Sequence, residues 1–421
     1  MERLSSRAAS SFEKMNRTLS TPRPGQFARF GVRQPTPVFA MSPSQHELNV
    51  IGHECMNPET SGRRGHAALQ NWYDRSENEH TPLPAAVYTC PKLLVAELKA
   101  LFHRQWICCG HQSQLSEPGD YLTVEVGGVP VLLVCDTQCE IRAFSNICLH
   151  RAARIVEGCG RARRFSCPYH AWTYKLDGRL DKAPFMDEAD LSSHRLPDYA
   201  VELWHGLVFV CLDPAADSLA TKLTGLTERM NPYKLEGGRV VDSSRHPMAC
   251  NWKLLVENFC ESYHVFRVHP QSVEPSSPSR TTRVWDGGPG FNEHTQALLK
   301  PGHDTSADYE SHPGYENEIR LCCLYPSFVF SAHPELLISL SVHPTGPQTC
   351  EYLCLAVALH PMPDEEVSPL VNRVHAFLAE DRAVIEGVQR NLSTGHDPIG
   401  PLHEWERTNW HFGRYIAEHV L

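Results

Sequence analysis

The chain has 421 residues, of which 41% are hydrophobic, and its formal net charge is −10. A chain of this length can form two or three domains with buried cores. Because 49 acidic residues outnumber 39 basic ones, the composition argues against the concentrated positive charge that binds nucleic acid. No apolar run approaches the ~20 residues that cross a bilayer, so neither nucleic acid nor a membrane is expected as a partner.

The first forty residues are rich in Arg and Ser and poor in acids. This composition resembles an organelle transit peptide, and a disordered tail explains it equally well. The tract to about Thr81 stays polar, so residues 1–82 are predicted as a transit-like or weakly structured extension. A chloroplast or the mitochondrial matrix is the expected location if the segment is a transit peptide, and the cytoplasm otherwise. The sixteen Cys residues lie mostly in apolar contexts, which favours reduced core thiols.

A helix and then a β-domain follow this extension. "PKLLVAELKALFHRQW" has apolar residues at helical spacing, and "DYLTVEVGGVPVLLVCDTQCEIRAF" alternates as strands interrupted by Gly-Gly and an Asp-containing turn. Short strands continue through "YKLDGRL" and "ELWHGLVFVCL" to about Asp213. Residues 83–213 are therefore predicted as a small antiparallel β-domain with a leading helix.

The remaining residues, 214–421, are predicted as a second domain of mixed structure. "NWKLLVENFCESYHVFRVHP" is predicted as a helix, and residues 319–359 as several strands. "SPLVNRVHAFLAEDRAVIEGVQRNL" has the apolar spacing of a long amphipathic helix. The whole chain therefore has the pattern of an α+β protein.

Two short loops of the β-domain each contain one Cys and one His. Cys148 and His150 form a Cys-x-His pair, and sixteen residues later Cys167 and His170 form a Cys-x-x-His pair. Zinc accepts two thiolates and two imidazoles, so a zinc site is one alternative and unligated core residues are another. Zinc fingers usually pair Cys with Cys, whereas here each loop supplies one ligand of each kind. The spacing favours a Rieske [2Fe-2S] cluster, in which two imidazoles replace two thiolates on one iron and raise its reduction potential.

A second group of candidate metal ligands lies in the predicted helix after residue 250. On a helix Glu261 and His264 would share a face, whereas His269 would be rotated away, so the helix must end or distort there. Two imidazoles and a carboxylate from elsewhere form the facial triad that holds Fe(II) and leaves positions open for O₂ and substrate. Two satisfied core histidines are the alternative interpretation.

The segment "CLHRAARIVEGCGRARRFSCPYHAWTYKLDGRL" looks like the cluster-binding segment of Rieske non-haem iron oxygenase α-subunits. The similarity runs from about Leu83 to the C-terminus. It implies an N-terminal antiparallel β Rieske domain and a C-terminal helix-grip-like antiparallel sheet with helices, which carries mononuclear Fe(II). It also implies that the missing iron ligand is Asp381 in "FLAEDRAVIEGVQRNL", with Glu380 as the alternative.

Glu261 departs from the pattern of most members that this chain resembles. They have an Asp at this position, three residues before the first iron His, where it bridges the iron of one subunit to a Rieske His of its neighbour. By this resemblance Glu261 would link His264 to His170 of an adjacent subunit in a homotrimer.

A Glu at this position resembles the carnitine monooxygenase type, which acts on quaternary amines. The implied activity is monooxygenation of a choline-, betaine- or carnitine-like amine with O₂ and electrons from a separate ferredoxin or flavin reductase. The candidate cation–π residues are Tyr263, Trp285, Phe291, Tyr325, Phe328 and Phe330. One alternative is hydroxylation of an aromatic or other small organic acid by the same metal centres. Another is an electron carrier or zinc-stapled binding protein, which would have no Fe(II) triad.

Overall fold

The computed structural model describes residues 58–299 and 317–421. The transit-like segment expected at residues 1–40 lies outside these described residues. Within them the chain forms two seven-stranded antiparallel sheets and one small three-stranded sheet, with helices packed on the second large sheet. The predicted α+β class, an antiparallel β-domain followed by an antiparallel sheet with helices, is confirmed.

The first large sheet lies between residues 107 and 211. Its strands and those of the small sheet are β1 (Ile107–His111), β2 (Asp120–Val126), β3 (Val129–Cys135), β4 (Ile141–Ser145), β5 (Cys159–Arg161), β6 (Phe165–Ser166), β7 (Thr173–Tyr174), β8 (Leu180–Lys182), β9 (Asp198–Trp204) and β10 (Leu207–Cys211). The large sheet has the order β1-β10-β9-β4-β3-β2-β5, and β6, β7 and β8 form the small sheet. This topology places the Cys148 loop between β4 and β5 and the Cys167 loop between β6 and β7.

The second large sheet forms the C-terminal half. Its strands are β11 (Arg239–Met248), β12 (Arg283–Val284), β13 (Phe291–Ala297), β14 (Glu318–Leu324), β15 (Phe328–Ala332), β16 (Leu336–Gly346) and β17 (Thr349–Ala358). Their order is β11-β17-β16-β15-β14-β13-β12, so β13 and β12 lie at the edge opposite β11. Every residue of β13 is buried, although its sequence, "FNEHTQA", is mostly polar.

Nine α-helices are found in the part of the chain that the structure describes. They are α1 (Pro58–Arg75), α2 (Ala85–Thr89), α3 (Pro91–Glu97), α4 (Leu219–Lys222), α5 (Leu226–Met230), α6 (Trp252–Cys260), α7 (Val265–Val268), α8 (Asp364–Leu392) and α9 (Arg407–Val420). The N-terminus of α6 is capped by Asn251, whose side chain accepts a hydrogen bond from the backbone N–H of Lys253. Helix α6 packs on β14, β15 and β16, while α8 and α9 pack on α6.

The leading segment differs from the prediction. Residues 58–75, expected to be weakly structured, form α1, in which Leu69 and Trp72 are buried. The helices expected to lead the β-domain instead pack on the C-terminal half. Glu97 of α3 accepts hydrogen bonds from the Nζ of Lys253 (2.6 Å) and the Nε1 of Trp252 (2.9 Å), both in α6. The buried side chains of Leu69 and Trp72 and the buried ion pair of Glu97 with Lys253 stabilise the packing of residues 58–104 on the second domain.

The two faces of the second sheet have different partners. Side chains on one face pack with α6 and α9, whereas Phe291, Phe328 and Phe330 on the other face belong to a cluster with Trp204 and Phe209 from the first sheet. This second cluster is an apolar contact between the two β-sheets. In the described ranges, no helix combines the length and apolar character needed to span a membrane.

Candidate functional site

The two Cys/His loops of the first domain have the same backbone design. In one, the N–H of Cys148 donates to the carbonyl of Ala153 and the N–H of Ala152 donates to that of Cys148. In the other, Cys167 bonds to Trp172 and Ala171 bonds to Cys167 in the same way. Ala152 and Ala171 have φ values of 55° and 56°, a left-handed conformation that only a few per cent of non-glycine residues adopt. Two loops folded alike can each present one sulfur and one imidazole to a shared centre.

The thiols and the imidazoles of these loops differ in exposure. Cys148 and Cys167 are each 3% exposed, whereas His150 and His170 lie at the surface. The two rings are 4.6 Å apart between centroids, and His150 also stacks on Trp172 at 4.9 Å. Partial loss of water contact, and then the positive charges of His150 and Arg151, lower the pKa of His170, which favours the neutral ring that a metal needs. Two inner thiols and two outer, adjacent imidazoles fit the donor set of a Rieske cluster.

Tyr174 supports the inner end of this site. Its hydroxyl lies 3.3 Å from the Sγ of Cys148 and accepts a hydrogen bond of 3.0 Å from the backbone N–H of Leu149. Burial and the contact with Cys148 raise the pKa of Tyr174, so the phenol keeps its proton. A protonated hydroxyl next to a metal-bound thiolate can donate to the sulfur.

The second site begins where α6 ends. The helix stops at Cys260, because Glu261 has an extended backbone with φ −136° and ψ 165°. The Glu261 carboxylate then accepts hydrogen bonds from the backbone N–H groups of Tyr263 and His264. Glu261 and His264 therefore lie in a turn. The sequence pattern had suggested that they share a face of one continuous helix. The short helix α7 follows, and His269 is its C-terminal flanking residue.

This turn and α8 bring together the two histidines and the carboxylate that were predicted as iron ligands. One ligand atom from each of His264, His269 and Asp381 lies within 4.8 Å of the others. The Oδ1 of Asp381 is 2.9 Å from the Nε2 of His269 and 3.5 Å from the Nε2 of His264. Burial would raise the pKa of Asp381, but its hydrogen bonds with the two histidines hold that pKa at about 2. The carboxylate is therefore ionised, as a metal ligand must be.

Each of these histidines uses its other ring nitrogen to contact a carboxylate. The Nδ1 of His264 is 2.5 Å from Glu261, and the Nδ1 of His269 is 2.7 Å from Glu380. Burial lowers the pKa of His264, but the charge of Glu261 and the bond with Asp381 raise it to about 10. A metal that binds Nε2 would displace the Nε2 proton, while Nδ1 keeps its proton and donates it to the carboxylate. The arrangement fits a two-His, one-carboxylate iron site with oriented rings.

Glu380, the alternative ligand, has a different place. Its Oε2 accepts hydrogen bonds from the Nδ1 of His269 and from the hydroxyl of Ser272, at 2.7 and 2.6 Å. It therefore lies behind the His269 ring, on the side away from Asp381. Neighbouring residues on α8 point in different directions, so only Asp381 joins the group of three.

The aromatic residues proposed as a cation–π cage are not in one place. Phe291, Phe328 and Phe330 pack against the first domain, on the sheet face opposite the one that contacts α6. Tyr325 stacks on Tyr415 of α9 with ring centroids 4.3 Å apart. Residues directly opposite in antiparallel strands share a face, so these three Phe side chains cannot line a pocket beside His264. For them the cage prediction is wrong.

Two other aromatic candidates lie nearer the surface. Tyr263 is 40% exposed and stacks on His403, with ring centroids 4.6 Å apart and an interplanar angle of 9°. Trp285 is 37% exposed, and its Nε1 donates to the hydroxyl of Thr295. Tyr263 adjoins His264 in the chain, so of the six candidates it is the one next to the histidine–carboxylate group.

The sequence analysis missed the buried polar residues whose hydrogen bonds connect the second site to strand β13. Ser262, Asn292 and His294 are buried and hydrogen-bonded, but none stood out as a candidate. The available signal was the segment "FNEHTQA", in which polar residues fill a buried strand.

Comparison with protein-family models gives two matches. Residues 105–200 match the Rieske [2Fe-2S] domain, and residues 235–421 match the ring-hydroxylating α-subunit catalytic domain. The chain combines a Rieske [2Fe-2S] domain with the catalytic domain of ring-hydroxylating α-subunits. These two domains account for both predicted cofactors, a Rieske [2Fe-2S] cluster and a mononuclear iron. The Rieske match begins at residue 105, after the helices that pack on the second domain.

Curated relatives of this chain include two enzymes named for quaternary amines. The glycine betaine monooxygenase oxygenase subunit of Chromohalobacter salexigens is 34% identical over 198 residues, 46% of this chain and 44% of that protein. The chain thus spans less than half the length of that relative. The chloroplastic choline monooxygenase of Amaranthus tricolor is 28% identical over 338 residues, 76% of this chain and 73% of that protein.

Among solved structures, a quaternary ammonium Rieske monooxygenase described in connection with carnitine oxidation shares the fold. Its TM-score is 0.74 at 24% identity, and the match covers 83% of this chain and 98% of that chain. At this identity the likeness supports the arrangement of strands and helices described above.

Proposed function

We propose that this Rieske oxygenase monooxygenates a small quaternary amine of the choline, betaine or carnitine kind. The observation that carries the proposal is Glu261, which contacts His264 where most members that the chain resembles have Asp. The names of the relatives, glycine betaine and choline monooxygenase, support the same substrate class.

In this proposal His264, His269 and Asp381 hold the mononuclear iron. The [2Fe-2S] centre is held by four side chains, those of Cys148, His150, Cys167 and His170. The metals would supply the oxygen chemistry: two electrons and two protons reduce O₂, one oxygen atom enters a C–H bond next to nitrogen, and the other leaves as water. The protein contributes oriented imidazoles, an ionised Asp381 and the buried side chain of Glu261.

Glu261 has the remaining capacity to contact a neighbouring subunit. A carboxylate offers about four acceptor positions, and three are used by Tyr263 N, His264 N and His264 Nδ1. One acceptor position is thus left for an imidazole N–H such as that of His170. Glu261 would pass electrons from a neighbouring Rieske centre to the iron, as the electron-transfer residue of the site.

Exposed apolar side chains surround both ends of this proposed path. Tyr169, beside His170, is 56% exposed, and Leu149, beside His150, is 37% exposed. On the other side, Tyr263 and Phe266 are 40% and 51% exposed. We propose that a head-to-tail homotrimer covers these surfaces by placing each Rieske domain against the next catalytic domain. A separate ferredoxin or flavin reductase would supply the electrons.

The N-terminal composition and the chloroplastic choline monooxygenase together support an organelle as the location. This proposal is tested by expressing the full chain fused to a fluorescent protein, with the same fusion lacking residues 1–40 as control. Uniform cytoplasmic fluorescence of the full-chain fusion would contradict it.

The substrate proposal is tested by reductant-coupled oxygen uptake with purified protein and a surrogate reductase. Choline, glycine betaine and carnitine are compared with benzoate-like acids, and product is identified by mass spectrometry. We expect uptake with at least one quaternary amine, and none with the same amine when Asp381→Ala is used. Uptake with benzoate-like acids alone would overturn the substrate class and leave the metal sites standing.

A further inference from the structure

Strand β13 presents polar side chains to the segment that carries the predicted iron ligands. Asn292, His294 and Gln296 alternate along the strand and therefore share one face. They are 1%, 1% and 3% exposed. A buried strand normally fills such positions with apolar residues, so three consecutive polar side chains on one face must have hydrogen-bond partners.

Residues 260–277, which contain His264 and His269, are called the ligand-bearing segment. Asn292 and Gln296 are linked by hydrogen bonds to its two ends. The Nδ2 of Asn292 donates to the carbonyl of Thr408 at 2.9 Å, and the Thr408 hydroxyl donates to the carbonyl of Cys260, the last residue of α6. At the other end, the hydroxyl of Ser277 donates to the Oε1 of Gln296 at 3.1 Å. The strand thus holds the chain just before His264 and again after His269.

The middle residue contacts the turn itself. The Nε2 of His294 is 2.8 Å from the hydroxyl of Ser262, and Ser262 is fully buried. Ser262 follows Glu261 directly, so its side chain is anchored to the sheet while the Glu261 carboxylate closes the turn around His264. Burial, and then the positive charge of His264, lower the pKa of His294 to about 3, so the ring is neutral.

We propose that His294, acting through Ser262, is a positioning residue that orients His264 for iron. The proposal rests on the iron site of the proposed function but not on any substrate. The hydrogen bond from the buried strand β13 holds the Ser262 side chain, and Ser262 lies two residues before His264. Without this bond the turn keeps the Glu261 contacts but loses its fixed distance from the sheet.

The most informative variant removes both partners of the bond. Replacing only one partner leaves a buried polar group unsatisfied, whereas replacing both with apolar groups can be nearly neutral for stability. Ser262→Ala with His294→Leu therefore removes the anchor and preserves the fold. His294→Gln keeps an amide nitrogen that can reach the Ser262 hydroxyl, so it should rescue the site.

A second Ser–His pair in the same sheet provides the matched control. The Nε2 of His343 is 3.1 Å from the hydroxyl of Ser341, and both residues are buried on β16. Ser341 also donates to the carbonyl of Cys108, in the first domain. This pair has the same chemistry, and in the described part of the chain its hydrogen bonds join Ser341, His343 and Cys108 and not the segment with His264 and His269.

The experiment measures Fe(II) affinity of the full chain by competition with a chelator, and the EPR spectrum of its nitric oxide adduct. We expect the Ser262/His294 double variant to bind Fe(II) about tenfold more weakly, with a changed spectrum, as loss of an outer-shell partner does. His294→Gln and the Ser341→Ala/His343→Leu control should match the wild type. Unchanged affinity and spectrum in the double variant, or equal losses in the control, would overturn the proposal.

Melting followed by circular dichroism shows whether the double variant folds. If it does not, Ser262→Ala with His294→Phe, which also removes both partners but keeps a ring at position 294, gives the decision by the same two measurements, with the same expected direction. Because neither measurement uses a substrate, a chain that oxidises no quaternary amine would refute the proposed function and leave this result intact.

Discussion

The two carboxylates behind the predicted iron ligands should contribute unequally to metal binding. Glu261 contacts His264 and Glu380 contacts His269, at similar distances of 2.5 and 2.7 Å. Their side chains differ in exposure, 9% for Glu261 and 39% for Glu380. Water can therefore screen and replace Glu380, whereas a charge lost at Glu261 is not replaced.

Substitution by Gln removes each charge while keeping the shape of the side chain. Loss of an outer-shell partner costs about 10- to 100-fold in metal affinity. We expect Glu380→Gln to lie near the lower end, about tenfold or ~1.4 kcal/mol, and Glu261→Gln near the upper end, about 100-fold or ~2.8 kcal/mol. The larger cost at Glu261 follows from its burial, because charge interactions are stronger away from water.

The assay is competition for Fe(II) between the full chain and a chromogenic chelator. Glu366→Gln is the matched control, since it removes one charge from an exposed position on the same helix as Glu380. The control should bind Fe(II) as the wild type does. Equal losses for the two variants, or a larger loss for Glu380→Gln, would refute the argument from burial.

Three further outcomes are expected. Lys253→Met leaves Glu97 buried without its 2.6 Å partner, and urea denaturation should show a loss of about 3–5 kcal/mol; a loss near zero would contradict the buried pair. Burial raises the pKa of Glu257 from 4.5 to about 8, so the stability present below pH 4.5 should decline as pH rises towards 8. Glu257→Gln should lack that decline. If the free energy of unfolding, measured with urea, changes with pH equally in both proteins, the decline does not come from Glu257. Tyr174→Phe removes a hydroxyl 3.3 Å from Cys148, so spectroelectrochemical titration should find a lower cluster potential; an unchanged potential would mean that the hydroxyl does not donate to the sulfur.

Much of the fold could be predicted because it is encoded locally. The strand run "VPVLLVC" and the long amphipathic helix appear as β3 and α8, since periodicity records which side chains are buried. The exceptions were segments whose burial depends on distant partners. Residues 58–75 are polar in sequence, but Leu69 and Trp72 become buried when α1 packs on α9. Local composition contains no record of such a contact.

The sequence by itself determined which donor atoms are available and at what spacing: one Cys and one His in each loop of the first domain, and two His after α6. Backbone geometry limits what such short spacings can reach, so the candidate ligands could be named from the sequence and its resemblance. Only the tertiary structure decided that Glu380 lies behind His269 and that His294 holds Ser262. These contacts join residues 111 and 32 positions apart, and they depend on strand register and on the rotation of α8, which no local pattern specifies.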